Sequence, residues 1–439
     1  MSPELRRSIG LIQATAMVAG TIIGASIFVQ PSVIAAAVPS PGAVTAVWVV
    51  AGLLTLCGAL VTAELASAYP QTGGVYVFLK EAFSPAFGFL WGWAMFWSMH
   101  SGIIAAIAVV FATYVGQFAA LGDVGVRAVA IGGILLLSAI NYVGVRAGSR
   151  LQTAFTIGKV GAILVIVVVG FLVAPLHGSP APPLAPVAPP ATFPSLGDFA
   201  LALVAGLFAF GGWHMVTYAA GETVEPERTV PRALLLGTLI VTLCYVALNA
   251  AYFHVLPLDT VVSSKRVAAD AAEIVLGSRG AAVVSGLVVF STFGALSGIV
   301  LAGPRVYYSM AQDGLLFRWV GGIHPRFLTP HRAVLLQAVW ASVLIATGTY
   351  RALFTRVVYT EWIFFGLMAL GLVLLRRRAD YAPRYRVWGY PVLPVVFVIA
   401  SGLIVLDQIA SNPAESAFGL ALVGLGLPVY LYWSRHAHR

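Results

Sequence analysis

The chain has 439 residues and a formal net charge of +9; 60% of its residues are hydrophobic and only 9% are charged. A soluble domain carries roughly 25% charged residues, and a chain this poor in charge would expose large apolar patches to water. The composition therefore excludes a soluble protein and predicts an all-α polytopic membrane protein, because lipid solvates apolar side chains and helices satisfy their own backbone.

An apolar run of about 20 residues crosses a bilayer as a helix, and the sequence contains twelve such runs. The third run is the clearest, since no charged residue occurs between Glu81 and Asp123. The predicted spans lie at residues 9–37, 43–69, 84–117, 127–145, 152–174, 197–221, 233–256, 280–303, 333–349, 355–375, 391–409 and 415–434.

The distribution of Lys and Arg predicts the orientation of these spans. With a cytoplasmic N-terminus, 18 of the 25 Lys and Arg residues fall on the cytoplasmic side, six fall outside and Lys159 lies within a span. Cytoplasmic loops carry this excess, so we predict a multi-pass protein of the cell (inner) membrane with both termini cytoplasmic. Nucleic acid is then not a predicted partner. The charge-free, Pro-rich segment Leu176–Pro194 is predicted to be an external connector.

Spans one and six each contain a glycine cluster near the middle, at Gly20–Phe28 and Gly206–Trp213. Glycine weakens a helix by about 1 kcal/mol relative to alanine, and unwound backbone at bilayer depth is tolerated only where it lines a cavity. Because spans one and six open two sets of five, the pair indicates inverted repeats at residues 9–174 and 197–375, with two extra helices at 391–434. The alternative for any single glycine is close helix packing.

The two predicted breaks also indicate what kind of ligand would bind. The start of a helix after a break presents free N–H groups and a positive dipole end, which suit a carboxylate. The half-helix before a break presents unpaired carbonyls, which suit an ammonium group. A zwitterion satisfies both without leaving a net charge in a low dielectric, so an α-amino acid is the predicted ligand.

Six groups of residues follow a characteristic order along the chain: Gly20–Phe28; Ala63–Leu65 with Gly73–Tyr76; Gly206–Trp213; Glu222–Pro231; Phe293–Gly294 with Arg305 and Asp313–Gly314; and Arg384–Pro391. Together they resemble the amino acid–polyamine–organocation superfamily, and within it the L-type amino acid transporters, over nearly the whole chain. The resemblance implies a single transporter domain, residues 1–439, with the five-plus-five inverted repeat and discontinuous helices one and six.

The resemblance also implies a substrate site at the two breaks. The amides of Gly24, Ala25 and Ser26 would hold the substrate carboxylate, and the carbonyls of Ile22, Phe208 and Gly211 would hold its amine, with Phe208 as an aromatic lid. The chain departs from the family's Gly-Ser-Gly at Gly24-Ala25-Ser26. The predicted substrate-binding residues are Ile22, Ile23, Gly24, Ala25, Ser26, Phe208, Phe210, Gly211, Trp213 and His214.

Lys159 lies midway along span five, where an ammonium needs a partner. In the family that this chain resembles, a lysine here substitutes for a sodium ion, so the ammonium is expected to reach carbonyls near the first break and hydroxyls such as that of Ser291. Sodium-independent transport is the consequence. The alternative is a lysine that snorkels to the membrane interface.

Several other ionisable residues have two possible roles. His214 follows the second break, where it could line the site, carry a proton or serve as a hydrogen-bonded structural residue. Glu64, Glu222 and Arg305 lie near cytoplasmic helix ends, where they could form a gate by ion pairing or remain solvated charges. No motif of an enzyme, metal site or cofactor site is present, and none of these is expected.

The leading prediction is a sodium-independent transporter of neutral L-amino acids that works by alternating access, as an exchanger or a proton-linked symporter. A carrier of cationic amino acids or polyamines is the alternative, and it would require a carboxylate in the pocket; Glu361 is placed near the outer end of span ten and is not counted. An amino acid sensor that does not transport is the third reading. Animal relatives join a heavy chain through a cysteine between spans three and four; residues 117–127 contain none, so no such partner is expected.

Overall fold

The computed structural model describes residues 5–173, 194–264, 266–349, 356–357 and 359–436. Within these ranges all regular structure is helical apart from one isolated bridge between Ile9 and Thr223. The predicted connector Leu176–Pro194 lies outside the described residues except for Pro194. The observed helices agree with the all-α prediction.

Nineteen α-helices form the described part of the chain. In chain order they are α1 Leu11–Ile22, α2 Ser26–Ala37, α3 Pro41–Ala68, α4 Val75–Ala82, α5 Pro85–Trp97, α6 Met99–Val115, α7 Asp123–Val143, α8 Val145–Val173, α9 Leu196–Ala209, α10 Pro226–Val255, α11 Leu258–Ser263, α12 Val267–Leu276, α13 Gly280–Ala302, α14 Pro304–Gln312, α15 His331–Thr347, α16 Thr360–Leu375, α17 Val392–Ser411, α18 Pro413–Gly424 and α19 Gly426–His436. A 3₁₀ segment, Trp213–Glu222, follows α9.

The described residues contain nine helices or broken helices that are long and apolar enough to cross a membrane, and ten if α1 and α2 form one bent span. Two further apolar helices, α15 and α16, are shorter. The protein is therefore a multi-pass membrane protein, as predicted. The third predicted span is not one uniform helix, since α5 ends at Trp97 and α6 begins at Met99, and Ser98 between them has φ −141° and ψ −67°.

Both predicted interruptions are present in the structure. Helix α1 ends at Ile22, the next residue Ile23 is extended with φ −71° and ψ 92°, and α2 begins at Ser26 with its axis bent by 47° from that of α1. Helix α9 ends at Ala209, and Gly212 has φ +100°. A side chain is strained at this φ, so Gly212 permits the turn that separates α9 from the 3₁₀ segment.

Glycines let the first broken helix pack closely against its neighbours. A Cβ on Gly20 would lie 2.1 Å from Oγ1 of Thr156 on α8, and a Cβ on Gly237 of α10 would lie 2.5 Å from Cβ of Val18. Helix α1 also packs on α13 and on the 3₁₀ segment. The glycines that weaken this helix therefore also allow the close packing that holds it, so the packing interpretation and the break interpretation both apply.

Two buried ion pairs tie helix ends together. Arg305 donates to both carboxylate oxygens of Glu222, with Nε–Oε2 at 2.6 Å and Nη2–Oε1 at 3.1 Å, and both side chains are fully buried. Glu64 instead accepts from Arg376 Nε at 2.8 Å and from the Val387 amide at 2.7 Å. All three predicted gate residues are thus paired rather than solvated, but Glu64 belongs to a different pair from Glu222 and Arg305.

We expect Arg305→Met to destabilise the protein by about 3–5 kcal/mol, because it leaves the Glu222 carboxylate buried without a partner. The matched control is Arg384→Met, which removes an exposed pair with Glu227 and should cost about 1 kcal/mol or less. Thermal unfolding in detergent measures both effects. The double variant with Glu222→Gln should recover much of the loss; an unchanged melting temperature for Arg305→Met alone would contradict the assignment.

Candidate substrate site

A cavity of about 270 Å³ lies between the two breaks. It is slightly smaller than the ~300–1,000 Å³ sites that hold drug-sized ligands, so it suits a small solute. Helices α6, α13 and α16 complete its walls. The lining residues are Thr21, Ile22, Gly24, Ala25, Ser26, Ile103, Ala106, Ile107, Val110, Leu207, Phe208, Ala209, Gly211, Gly212, Trp213, Met215, Thr292, Ile299, Glu361, Trp362 and Phe365.

Main-chain donors face this cavity at the first break. The amides of Gly24 and Ala25 donate no backbone hydrogen bond within the described part of the chain. Ser26 is the first residue of α2, and no side chain caps that helix, so the amide at the start of the helix lacks an intrahelical acceptor, whereas the Phe28 amide donates to the Ala25 carbonyl at 3.0 Å. Backbone N–H groups that are not paired at bilayer depth are costly, and a helix start of this kind beside a cavity suits an anion.

The Lys159 side chain holds carbonyls on the opposite side of the same break. Its ammonium donates to the Gly20 carbonyl at 2.9 Å and the Ile23 carbonyl at 2.7 Å, and the side chain is 1% exposed. Lys159 therefore does not snorkel to an interface. The expected contact with carbonyls near the first break is present.

Ser291 on α13 shares one carbonyl, that of Ile23, with Lys159. Its hydroxyl lies 3.4 Å from the Ile23 carbonyl and 3.3 Å from that of Gly24, which are long hydrogen bonds. The described contacts join Ser291 to these carbonyls and not to the Lys159 ammonium itself. Gly294, one turn further along α13, makes room for the lysine, since a Cβ there would lie 2.7 Å from Cε of Lys159.

Tyr245 on α10 joins the two breaks, and the sequence analysis missed it. Its hydroxyl lies 3.1 Å from the carbonyl of Ile22, the last residue of α1, and 3.2 Å from that of Ala209, the last residue of α9. The ring packs against Trp48 and Phe210. A buried tyrosine hydroxyl usually finds a hydrogen-bond partner, so a mid-span tyrosine was a signal that could have been used.

The predicted binding residues divide into two groups in the structure. Ile22, Gly24, Ala25, Ser26, Phe208, Gly211 and Trp213 line the cavity. Ile23, Phe210 and His214 do not: Ile23 is fully buried, and Phe210 packs on Trp48 and Tyr245. The His214 ring packs among aromatic rings, with centroids 4.7 Å from Phe365 and 6.0 Å from Trp91, because the 3₁₀ segment turns it away from the cavity.

Glu361 lies in the first turn of α16, at the end of the span where it was expected, but it also lines the cavity, which corrects the expectation that the pocket has no carboxylate. The described helix α16 begins only at Thr360, and the Thr360 hydroxyl lies 3.5 Å from the sulfur of Met99. Met99 is near the middle of the 31-residue span Pro85–Val115. The carboxylate required by the cationic-substrate alternative is therefore present at the site, at mid-span depth.

The cavity is closed on the side where the N-terminal segment lies. Residues Trp213 to Ala220 are each at most 3% exposed. Beyond them, the amides of Ser8 and Ile9 donate to the Glu222 carbonyl at 2.8 and 3.0 Å, and the Val224 amide donates to the Ile9 carbonyl at 2.9 Å. By contrast, the Phe208 side chain on the other side is 44% exposed. The barrier on the N-terminal side is thus the thicker one.

A bundle of membrane-spanning helices that encloses a solute-sized cavity between two broken helices is the architecture of a membrane carrier. The chain matches the family model described as "Amino acid permease" over residues 9–425. The protein belongs to this family, and it is a transporter-family protein rather than an enzyme.

Three similar proteins carry the names of amino acid transporters or exchangers. The chain is 31% identical to the "Serine/threonine exchanger SteT" of Bacillus subtilis, covering 97% of this chain and 96% of that one. It is 32% identical to the "Large neutral amino acids transporter small subunit 2" of Oryctolagus cuniculus, over 98% and 81%. It is 31% identical to the "b(0,+)-type amino acid transporter 1" of Mus musculus, over 97% and 88%.

We expect Tyr245→Phe to weaken substrate binding about 2- to 12-fold, since it removes a hydroxyl whose single proton is shared between two carbonyls, and such a hydrogen bond contributes about 0.5–1.5 kcal/mol. The control is Tyr252→Phe, two turns further along α10, because the buried Tyr252 hydroxyl has no hydrogen-bond partner among the described residues. Substrate affinity measured by calorimetry in detergent distinguishes them. Equal affinities for the two variants would show that Tyr245 does not organise the site.

Proposed function

We propose that the protein is a sodium-independent carrier of neutral L-amino acids that works by alternating access, as an exchanger or a proton-linked symporter. The observation that supports this most directly is the pair of unbonded amides, Gly24 and Ala25, beside a small cavity at the first break. They offer donors to a carboxylate. Carbonyls of Ile22, Phe208 and Gly211 would accept from the substrate amine; that of Ile22 already accepts from Tyr245 but has a second lone pair.

The membrane topology is part of this proposal. If the shorter helices α15 and α16 also cross the bilayer, the ten candidate spans become twelve. The repeats would then be residues 9–174 and 197–375, with two extra helices at 391–434, and both termini would be cytoplasmic in the cell (inner) membrane. The excess of Lys and Arg on that side supports this orientation.

Sodium independence rests on Lys159. Its ammonium already occupies the carbonyls of Gly20 and Ile23, at 2.9 and 2.7 Å. A sodium ion would need such oxygens as ligands. A lysine that is fixed at these oxygens occupies the ligands that a sodium ion would need, and a transported sodium ion is then not required to shape the break.

Alternating access would operate through the Glu222–Arg305 pair and the bonds from Ser8 and Ile9 to Glu222. These contacts lie on the N-terminal side, whereas Phe208, which also lines the cavity, is 44% exposed. Rocking of the two broken helices against the remaining helices would break the first set of contacts and pack Phe208 over the site. Glu64, paired with Arg376, would hold α16 in place rather than act in the same gate.

The cationic amino acid or polyamine alternative gains support from Glu361, which lines the cavity. The remaining wall favours neutral side chains, because Ile103, Ile107, Val110 and Trp362 are apolar. A non-transporting sensor is the alternative of a different class. We also propose that no disulfide-linked heavy chain is needed, since Cys57 and Cys244 both lie within helices.

The test is counterflow in proteoliposomes. Liposomes preloaded with a neutral amino acid should accumulate labelled neutral amino acids such as leucine, serine or threonine, and replacement of Na⁺ by choline should leave the rate unchanged. Binding without flux would support a sensor. Flux that requires sodium would contradict the role given to Lys159.

The variant Lys159→Ala tests the role of Lys159 in the same counterflow assay. It leaves the Gly20 and Ile23 carbonyls without their donor, so counterflow should fall about tenfold or more, as expected for a loss of roughly 1.5–3 kcal/mol from charged hydrogen bonds. The control is Lys80→Ala, at the only other lysine that the structure describes, which pairs with Asp313 at the end of α4. Equal counterflow by wild type and Lys159→Ala at equal protein amounts would refute the role of Lys159.

A further inference from the structure

Glu361 is the only ionisable side chain among the described residues that line the cavity. Its neighbours in the wall include the apolar residues Ile103, Ile107, Trp362 and Phe365, and it lies at the depth of Met99 near the middle of a span. An ionisable group inside the membrane is costly and is typically retained for a function that involves a partner. The question is which group supplies that partner.

No charged group of the described protein pairs with Glu361. Four buried or partly buried cations are engaged elsewhere: Lys159 with carbonyls, Arg305 with Glu222, Arg376 with Glu64 and Lys80 with Asp313. Other titratable groups lie on the elements that pack on α16 or surround the cavity, which are α3, α4, α6, α17 and the 3₁₀ segment. These groups are Cys57, Tyr76, Glu81, His100, Tyr114, Asp407, His214 and Tyr218. None of these lines the cavity.

A substrate held at the first break does not by itself neutralise Glu361. The carboxylate and ammonium of a zwitterion would be used by the amides of Gly24 and Ala25 and by carbonyls of the breaks, so a neutral side chain would leave the Glu361 charge uncompensated in an apolar enclosure. Closure of the cavity around such a complex requires one more positive charge.

We propose that Glu361 binds one positive charge that enters the cavity with each substrate. This charge is either a proton that accompanies a neutral amino acid or the side-chain cation of a basic amino acid. The inference rests on the proposed function and extends it. In the first case the proton is held on the carboxyl group and leaves with the amino acid; in the second the ammonium or guanidinium forms an ion pair with the carboxylate beside the Trp362 ring. In either case the transported cargo carries one positive charge beyond the zwitterion, and this charge neutralises the Glu361 carboxylate in the closed cavity.

The experiment compares wild type, Glu361→Gln and Asp407→Asn in proteoliposomes. Asp407 is an exposed carboxylate on α17 without a described ion pair, and its variant is the matched control. One arm measures uptake of a labelled neutral amino acid with and without an inward proton gradient. The other arm measures inhibition of that uptake by arginine and by lysine.

Two results support the proposal and identify the source of the charge. A proton is identified if the gradient stimulates uptake by wild type and by Asp407→Asn but does not stimulate uptake by Glu361→Gln. The side-chain cation is identified if basic amino acids inhibit uptake by wild type and Glu361→Gln weakens this inhibition at least about 30-fold, as for loss of one member of a buried charge pair. The proposal is overturned if wild type shows neither response, or if Glu361→Gln retains both.

A binding measurement covers the case in which Glu361→Gln does not transport. Wild-type protein in detergent should bind a neutral amino acid with an affinity that depends on pH, or should bind arginine; affinity independent of pH together with no binding of arginine overturns the proposal. The proposed function would fail in a different way, because the wild-type protein would then show no flux of any amino acid.

Discussion

The main chain that is left unbonded at bilayer depth is the feature on which the rest of the structure depends. A helix in lipid satisfies its own backbone, and an interruption exposes donors and acceptors that water cannot reach. Here the break at Ile23 turns α2 by 47° from α1 and leaves the amides of Gly24 and Ala25 facing a cavity. The exposed backbone is thus confined to a place where a small polar solute can bind.

Side chains of the protein pair with some carbonyls of the two breaks, whereas the amides of Gly24 and Ala25 donate no backbone hydrogen bond in the described part of the chain. Lys159 donates to the carbonyls of Gly20 and Ile23, and the Tyr245 hydroxyl lies within hydrogen-bond distance of those of Ile22 and Ala209. Both side chains come from helices that pack closely on α1. These four carbonyls therefore have partners within the protein, which reduces the cost of interrupting a helix at bilayer depth.

The sequence predicted the features that depend on local residue chemistry. Gly212 and the cluster around Gly24 predicted both breaks, and the isolated charge of Lys159 predicted a partner near the first one. The orientation of side chains was not predictable from spacing: His214 and Phe210 flank the second break but point away from the cavity, because the backbone leaves α-helical geometry between them. The place of Glu361 in the cavity was missed because apolar run length does not show that the first turn of α16 lies beside the breaks. Tyr245 and the Glu64–Arg376 pair depend on contacts between distant helices, which one sequence does not reveal.

The most direct test of the account is a structure of the protein with a neutral amino acid bound. The substrate carboxylate should lie about 2.7–3.2 Å from the amide nitrogens of Gly24, Ala25 and Ser26, with its ammonium facing the carbonyls of the second break. An amino acid bound elsewhere, or continuous helical hydrogen bonding through residues 20–28 with no ligand beside them, would contradict the central claim.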